Sequence, residues 1–279
     1  MDDVGKSSFA KQYERLLREF VARRTTGMNL LNTVARKVVS EYRHFGLKKD
    51  DNILSSFPKS GNTWIKFMLS ELISGSSVDF STCEKVIPYV GQGRPQWLLP
   101  NQGCLLKTHE RFHRKYRRGV YIVRDGRDVA VSYYFRWQND APQNFQVSFS
   151  EFLNKFVEGD IGTLGSWQGS VESWQRSGLL GNEFLMIRYE DMLDNPPESL
   201  SKVVSHLGLL ASEDDIHNVI ARNDKERMAN KEETTADIKE NRFVRKAMKG
   251  DWENHFSDAD EQLFSKKAAG VMRSLGYEI

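Results

Sequence analysis

The spacing of apolar residues changes several times along the chain, and each change marks an element. Over residues 9–45, Tyr13, Leu16, Leu17, Phe20 and Val21 recur at helical spacing, with Gly27 as an interruption. Residues 51–57 form a short apolar run that predicts a strand. It breaks at Pro58-Lys59-Ser60-Gly61, and a helix follows with Trp64, Phe67, Met68 and Leu72 on one face. Residues 75–102 are rich in Gly and Pro and read as irregular. A second strand is expected over 104–106, ending at Lys107-Thr108-His109. A third, over 119–123, is apolar throughout and reads as buried on both faces. Arg124 ends it, and Asp125 is placed to cap the next helix, DGRDVAVSYYFRWQ.

The second half is less regular. Residues 139–165 mix polar and aromatic side chains with three glycines and suggest a mobile loop or insertion. A helix over 166–176 leads to a fourth strand over 184–187. Pro196-Pro197 opens a helix ending near Gly208, and Ser212 caps another. Residues 224–250 are charged and weakly patterned, and a last helix spans 258–274. This alternation predicts an α/β fold: a central, mostly parallel sheet with helices on both faces. Residues 1–279 read as a single domain, with a basic helical arm over 1–48, a motif-bearing core over 50–256 and a C-terminal helix over 257–279. Ligands of such sheets sit beyond the carboxyl ends of the strands. Lys59, Lys107, His109 and Arg124 all follow predicted strands.

Composition changes this picture little. The 279 residues carry a net charge of +2, which argues against a nucleic-acid partner. The charge is uneven: residues 1–50 hold eleven Lys/Arg against six Asp/Glu, a net +5 that leaves −3 elsewhere. That arm could approach an anionic surface or be a solvated helix face. Cys83 and Cys104 form no metal-ligand cluster, and two cysteines in a chain this long suggest a reducing compartment. No apolar run is long enough to span a membrane, and the N-terminus lacks a signal-peptide core, so a cytoplasmic protein is expected.

The segment Phe57-Pro58-Lys59-Ser60-Gly61-Asn62-Thr63-Trp64 has the makings of an anion cradle. Gly61 allows a tight turn, the next helix offers free N–H groups, and Lys59 adds a point charge. Ser60, Asn62 and Thr63 add short donors. It is not a GxxxxGK[ST] loop, because the lysine precedes the glycine, and on its own it could be an ordinary strand–turn–helix. It resembles the phosphosulfate loop PKSGTTW of the sulfotransferases that use 3′-phosphoadenosine 5′-phosphosulfate (PAPS), with Asn62 for a threonine. Three later segments are similar to family motifs in the same order: YIVRDGRDVAVSYY from Tyr121, YEDM from Tyr189, and RKAMKGDW from Arg245.

The resemblance implies a nucleotide-kinase-like, P-loop-related fold and transfer of a sulfuryl group from PAPS to an acceptor hydroxyl. The product is adenosine 3′,5′-bisphosphate (PAP), and no metal is required. It implies that Lys59 with Ser60, Gly61, Asn62 and Thr63 holds the phosphosulfate. Arg124, Ser132, Arg245, Lys246 and Ala247 then hold the 3′-phosphate, while Trp64 and Tyr189 hold the nucleoside. Lys107-Thr108-His109 resembles the family's KTH segment, making His109 the general base, with an unperturbed pKa near ~6.5, and Lys59 and Lys107 the charge-stabilising cations.

Several departures matter. Glu110-Arg111 replaces an apolar residue and a proline, pointing to a more polar acceptor. The segment from Asp224 to Met228 lacks the second adenine-stacking aromatic, and Ala247 stands where the family has glycine. The family's C-terminal dimer motif is not recognisable, so a monomer or a dimer formed another way is expected. Trp137, Phe145, Phe149 and Phe152 lean towards an aromatic or lipidic acceptor, against the sugar, glycolipid or polar alcohol suggested by the polar loop. The competing readings are a small-molecule kinase on the same fold and a non-enzymatic anion- or membrane-binding module.

Overall fold

The computed structural model describes residues 39–140, 147–234 and 246–279. The expected N-terminal helix lies mostly outside the described residues, as do Arg245 and Phe145; residues 39–43 are helical. Four strands form one parallel sheet: β1 (Asn52–Ser56), β2 (Leu105–Thr108), β3 (Arg118–Val123) and β4 (Phe184–Arg188), in the order β2-β1-β3-β4. The second strand thus runs from Leu105 to Thr108 rather than over 104–106, and the fourth reaches Arg188.

The period-two alternation of the strands divides the core in two. Ile53, Leu106, Tyr121 and Val123 face one layer, built around Trp167, Trp174, Phe152, Phe156 and Phe264. Leu54, Leu105, Val120 and Ile122 face the other, with Ile65, Leu69, Leu200 and Val203. The helices Gly126–Asp140, Trp167–Gln175 and Asp258–Ser274 therefore cover one face, and Asn62–Ser74, Pro196–His206 and Glu213–Arg222 the other.

Three stretches are more ordered than their patterns suggest. Within 75–102 a helix spans Phe80–Val86, with the Asp79 carboxylate accepting from the Thr82 amide. Two turns leave too few positions for a period to show. Residues 139–165 are not simply a loop, for a helix spans Phe149–Glu158 and buries Phe152, Leu153, Phe156 and Val157. Its start is a capping box in which Ser148 and Glu151 each satisfy the other's backbone N–H, a signature present in the sequence. Phe152 is consequently core, so its contribution to an acceptor pocket is withdrawn. A third helix, Lys225–Thr234, occupies part of the charged stretch after 224. No helix among the described residues is long and apolar enough to cross a membrane.

From β1 the chain crosses to β2 on one side; from β3 it crosses to β4 on the other. The carboxyl ends of β1 and β3 therefore flank the crevice where parallel α/β sheets bind ligands.

Candidate active site

After β1 the backbone turns through two left-handed residues, Lys59 at φ 70° and Gly61 at φ 90°. Gly61 is required there twice over, because a β-carbon on it would also lie 2.3 Å from the Tyr189 ring. As the N-cap of Asn62–Ser74, Gly61 offers no side chain, and the first turn carries no acidic residue. The Trp64 amide donates back to the Gly61 carbonyl at 3.1 Å, and the Asn62 and Thr63 amides ahead of it are placed to meet an external anion. The buried Ser60 hydroxyl has no hydrogen-bond partner among the described residues.

Arg124, at the end of β3, bridges the crevice. It is 7% exposed. Its guanidinium donates to the Lys59 carbonyl at 3.1 Å and to the Met248 carbonyl at 2.8 Å, and lies 4.4 Å from the centre of the Tyr189 ring. Asp128 stands 3.6 Å away, so the helix-terminus ion pair is present too, while Arg124 Nε is buried without a partner among the described residues. Ser132, 8% exposed, lies on the helix that follows, Gly126–Asp140, one turn past Asp128.

Asp128 organises the late loop by accepting from the Gly250 and Trp252 amides at 2.8 and 3.0 Å. Trp252 in turn stacks 3.8 Å from the Arg127 guanidinium. The Lys246 ammonium donates to the buried carboxylate of Asp251 at 2.6 Å. Ala247 sits at φ 47°, the left-handed region that favours the family's glycine.

His109 follows β2, next to β1. Its Nδ1 lies 2.8 Å from the Ser56 carbonyl oxygen, which can only accept, so Nδ1 carries the proton and Nε2 keeps a lone pair. Burial, helped by the neighbouring charges of Lys107 and Lys66, pushes His109 down to about 3, well below the ordinary imidazole value expected from sequence. The Ser56 contact opposes this only in part. Burial also brings Lys107 down to about 8.

Tyr89 gathers the cations, with Lys107 Nζ 4.9 Å and Lys66 Nζ 5.7 Å from its ring centre. The His109 ring lies 6.1 Å from it. Lys66 is 3% exposed, and its nearest carboxylate, Glu84, is 3.9 Å away. A sulfotransferase-domain family profile matches residues 49–276. The chain belongs to this family.

Among sulfotransferase relatives, guinea-pig (Cavia porcellus) sulfotransferase 1E1 is 29% identical over 247 residues, covering 80% of this chain and 83% of its own. The human (Homo sapiens) form is 28% identical over 249 residues, covering 80% and 83%. Mouse sulfotransferase SULT7A1, solved with PAP, superposes with a TM-score of 0.63 at 24% identity over 86% of this chain and 93% of that one. Retinol dehydratase, solved with androsterone and PAP, gives 0.67 at 18% identity over 88% and 87%. Both share the fold seen here.

In this sulfotransferase Trp64 and Tyr189, the residues expected from sequence to hold the nucleoside, are anchored from two sides. Trp64 donates from its indole to the Asn223 carbonyl at 2.8 Å, and Tyr189 packs on Gly61 and Arg124. Residues 224–227 are exposed and Met228 is buried near Trp64, so no aromatic side chain comes from this segment. Asn62 donates to the Ser56 hydroxyl at 3.1 Å, joining it to the residue that orients His109. The polar pair after His109 is engaged internally: Glu110 pairs with Arg43, and Arg111 packs by Gly165 and Gly169.

Lys66, Tyr89 and Ser56 were not singled out from sequence. Lys66 looks like one more helix residue, and a strand carbonyl has no sequence signal. Glu190 of the YEDM segment is structural, accepting from the Asp125 amide and the Tyr277 hydroxyl.

Proposed function

We propose that this sulfotransferase transfers a sulfuryl group from PAPS to the hydroxyl of a small acceptor by in-line displacement, with His109 as general base. The supporting observation is the Nδ1 contact with Ser56, which leaves Nε2 unprotonated at the sheet edge beside the Lys59 loop. The donor supplies an electrophilic sulfur with a phosphate leaving group. The residues present fit its two anions: Ser60 and Arg124 Nε are buried polar groups without partners among the described residues, and the first helical turn has no side-chain cap. Lys59, Ser60, Gly61 and Thr63 would hold the phosphosulfate. Arg124 and Ser132, with Arg245, Lys246 and the Ala247 backbone, would hold the 3′-phosphate, and Trp64 and Tyr189 the nucleoside.

His109 Nε2 takes the proton of the acceptor hydroxyl as that oxygen bonds to sulfur and the bond from sulfur to the phosphate oxygen breaks. Lys59 and Lys107 offset the charge gathering on the departing oxygen. Asn62, through Ser56, helps hold the base. We read the setting as cytoplasmic, following the family. Phe149 and Trp137, partly buried, remain candidates for the acceptor side.

The test is His109→Ala, assayed with labelled PAPS across an acceptor panel and by titration with PAP. Turnover is expected to fall about 100-fold or more with PAP affinity unchanged, and ATP should not compete. Full turnover in the variant removes the base assignment.

A further inference from the structure

We infer that the amino-terminal end of the sheet carries a docking surface for a bilayer containing anionic lipid. Tyr42 and Phe45 are 81% and 84% exposed, among the most exposed large apolar side chains described. They belong to one turn, closed by the Phe45 amide donating to the Tyr42 carbonyl at 3.1 Å, so both rings project from the same short segment. Lys115 pins that turn to the 113–118 segment: its ammonium donates to the His44 carbonyl at 3.0 Å and lies 6.0 Å from the Phe45 ring. Arg117 and Arg118 are exposed, without an ion pair among the described residues, and Lys48 and Lys49 are exposed on the adjoining turn.

The register fixes where the Arg117 and Arg118 side of this patch lies, while the aromatic turn reaches along the β2 edge, where Arg43 pairs with Glu110. Arg118 stands opposite Asn52 at the start of β1 and β3, whereas Lys59 and Arg124 follow the ends of those strands. A surface lying against Arg118 would leave the nucleotide crevice facing away from it, open to solution.

The chemistry suits a membrane interface. Aromatic rings ringed by Lys and Arg favour the headgroup region, where the ring leaves water and the cation meets phosphate. Single-stranded nucleic acid also uses aromatics and cations, but stacks its bases along a positively charged groove. Here the rings protrude almost wholly into solvent rather than lining a groove. Each basic side chain at an anionic bilayer is worth roughly 1 kcal/mol, or about fivefold in partitioning.

Full-length protein should therefore sediment with phosphatidylserine/phosphatidylcholine vesicles and not with phosphatidylcholine alone, and raised salt should release it. The double variant Arg117→Gln/Arg118→Gln should weaken partitioning about tenfold or more. Tyr42→Ser/Phe45→Ser should weaken it without altering its salt dependence. Both double variants should keep wild-type PAP affinity, which establishes that they fold. No preference for anionic vesicles overturns the inference, as does unchanged binding in either variant. Stronger retention by single-stranded RNA than by vesicles overturns it as well.

Discussion

His109 Nδ1 and the Ser56 carbonyl oxygen lie 2.8 Å apart, joining the residue after β2 to the last residue of β1. This contact lets an imidazole act as a base without choosing between tautomers. Ser56 Oγ, which Asn62 also holds, is 3.4 Å from the same nitrogen. His109 and the Lys59 loop are thus linked through Ser56.

Burial and nearby cations keep His109 neutral far below its ordinary range, so the free enzyme should not lose a proton acceptor as pH falls from 7 to 5. NMR of the ring nitrogens should show no titration down to pH 5, in keeping with a value of about 3. Lys107→Met removes the largest charge contribution and should move the titration upward. A midpoint near ~6.5, the unperturbed value, would contradict the buried geometry.

On the alkaline side, Lys107 loses its charge as pH rises through about 8. The free-enzyme value of kcat/KM should then decline above that pH, because the charge on the departing oxygen is less well offset. Lys107→Arg should extend activity upward, since guanidinium stays charged. An unchanged alkaline limb would show that another group sets it.

Gly61→Ala places a methyl group 2.3 Å from the Tyr189 ring at φ 90°. A loss of about 2–4 kcal/mol is expected from left-handed strain plus overlap, read from denaturant unfolding. Combined with Tyr189→Ala, the loss should be smaller than the sum of the two singles. Simple additivity would mean that the two residues do not collide.

Ala247→Gly should have the opposite sign. Ala247 holds φ 47°, so glycine relieves strain of about 1 kcal/mol in the late loop, less its own entropy cost. A modest rise in PAP affinity follows, measurable by calorimetry. Weaker binding in the glycine variant would refute the reading of this loop.

Arg124→Lys separates the two anion sites. PAP affinity should fall about tenfold or more as the planar fork is lost. Adenosine 5′-phosphosulfate, which lacks the 3′-phosphate, should bind about as well as before. Equal losses for both ligands would make Arg124 a loop tether, through its bonds to Lys59 and Met248, and nothing more.

Much of this was legible in the chain. The strands announce themselves by short apolar runs, the proposed phosphate loop by a breaker between strand and helix, and the proposed base by following a strand. What local pattern missed was short or capped by side chains: Phe80–Val86 has two turns, and Phe149–Glu158 was obscured by flanking glycines. Residue identity alone determined which groups are able to bind anions and accept a proton, because that capacity belongs to the side chain itself. Only the tertiary structure decided how they act. The charge state of His109 depends on burial and on Lys66 and Lys107, which reach it from a helix and a strand. The Arg124 contacts span segments 65 and 124 positions away. Interactions of that kind are set by distance in space, and distance along the chain does not contain them.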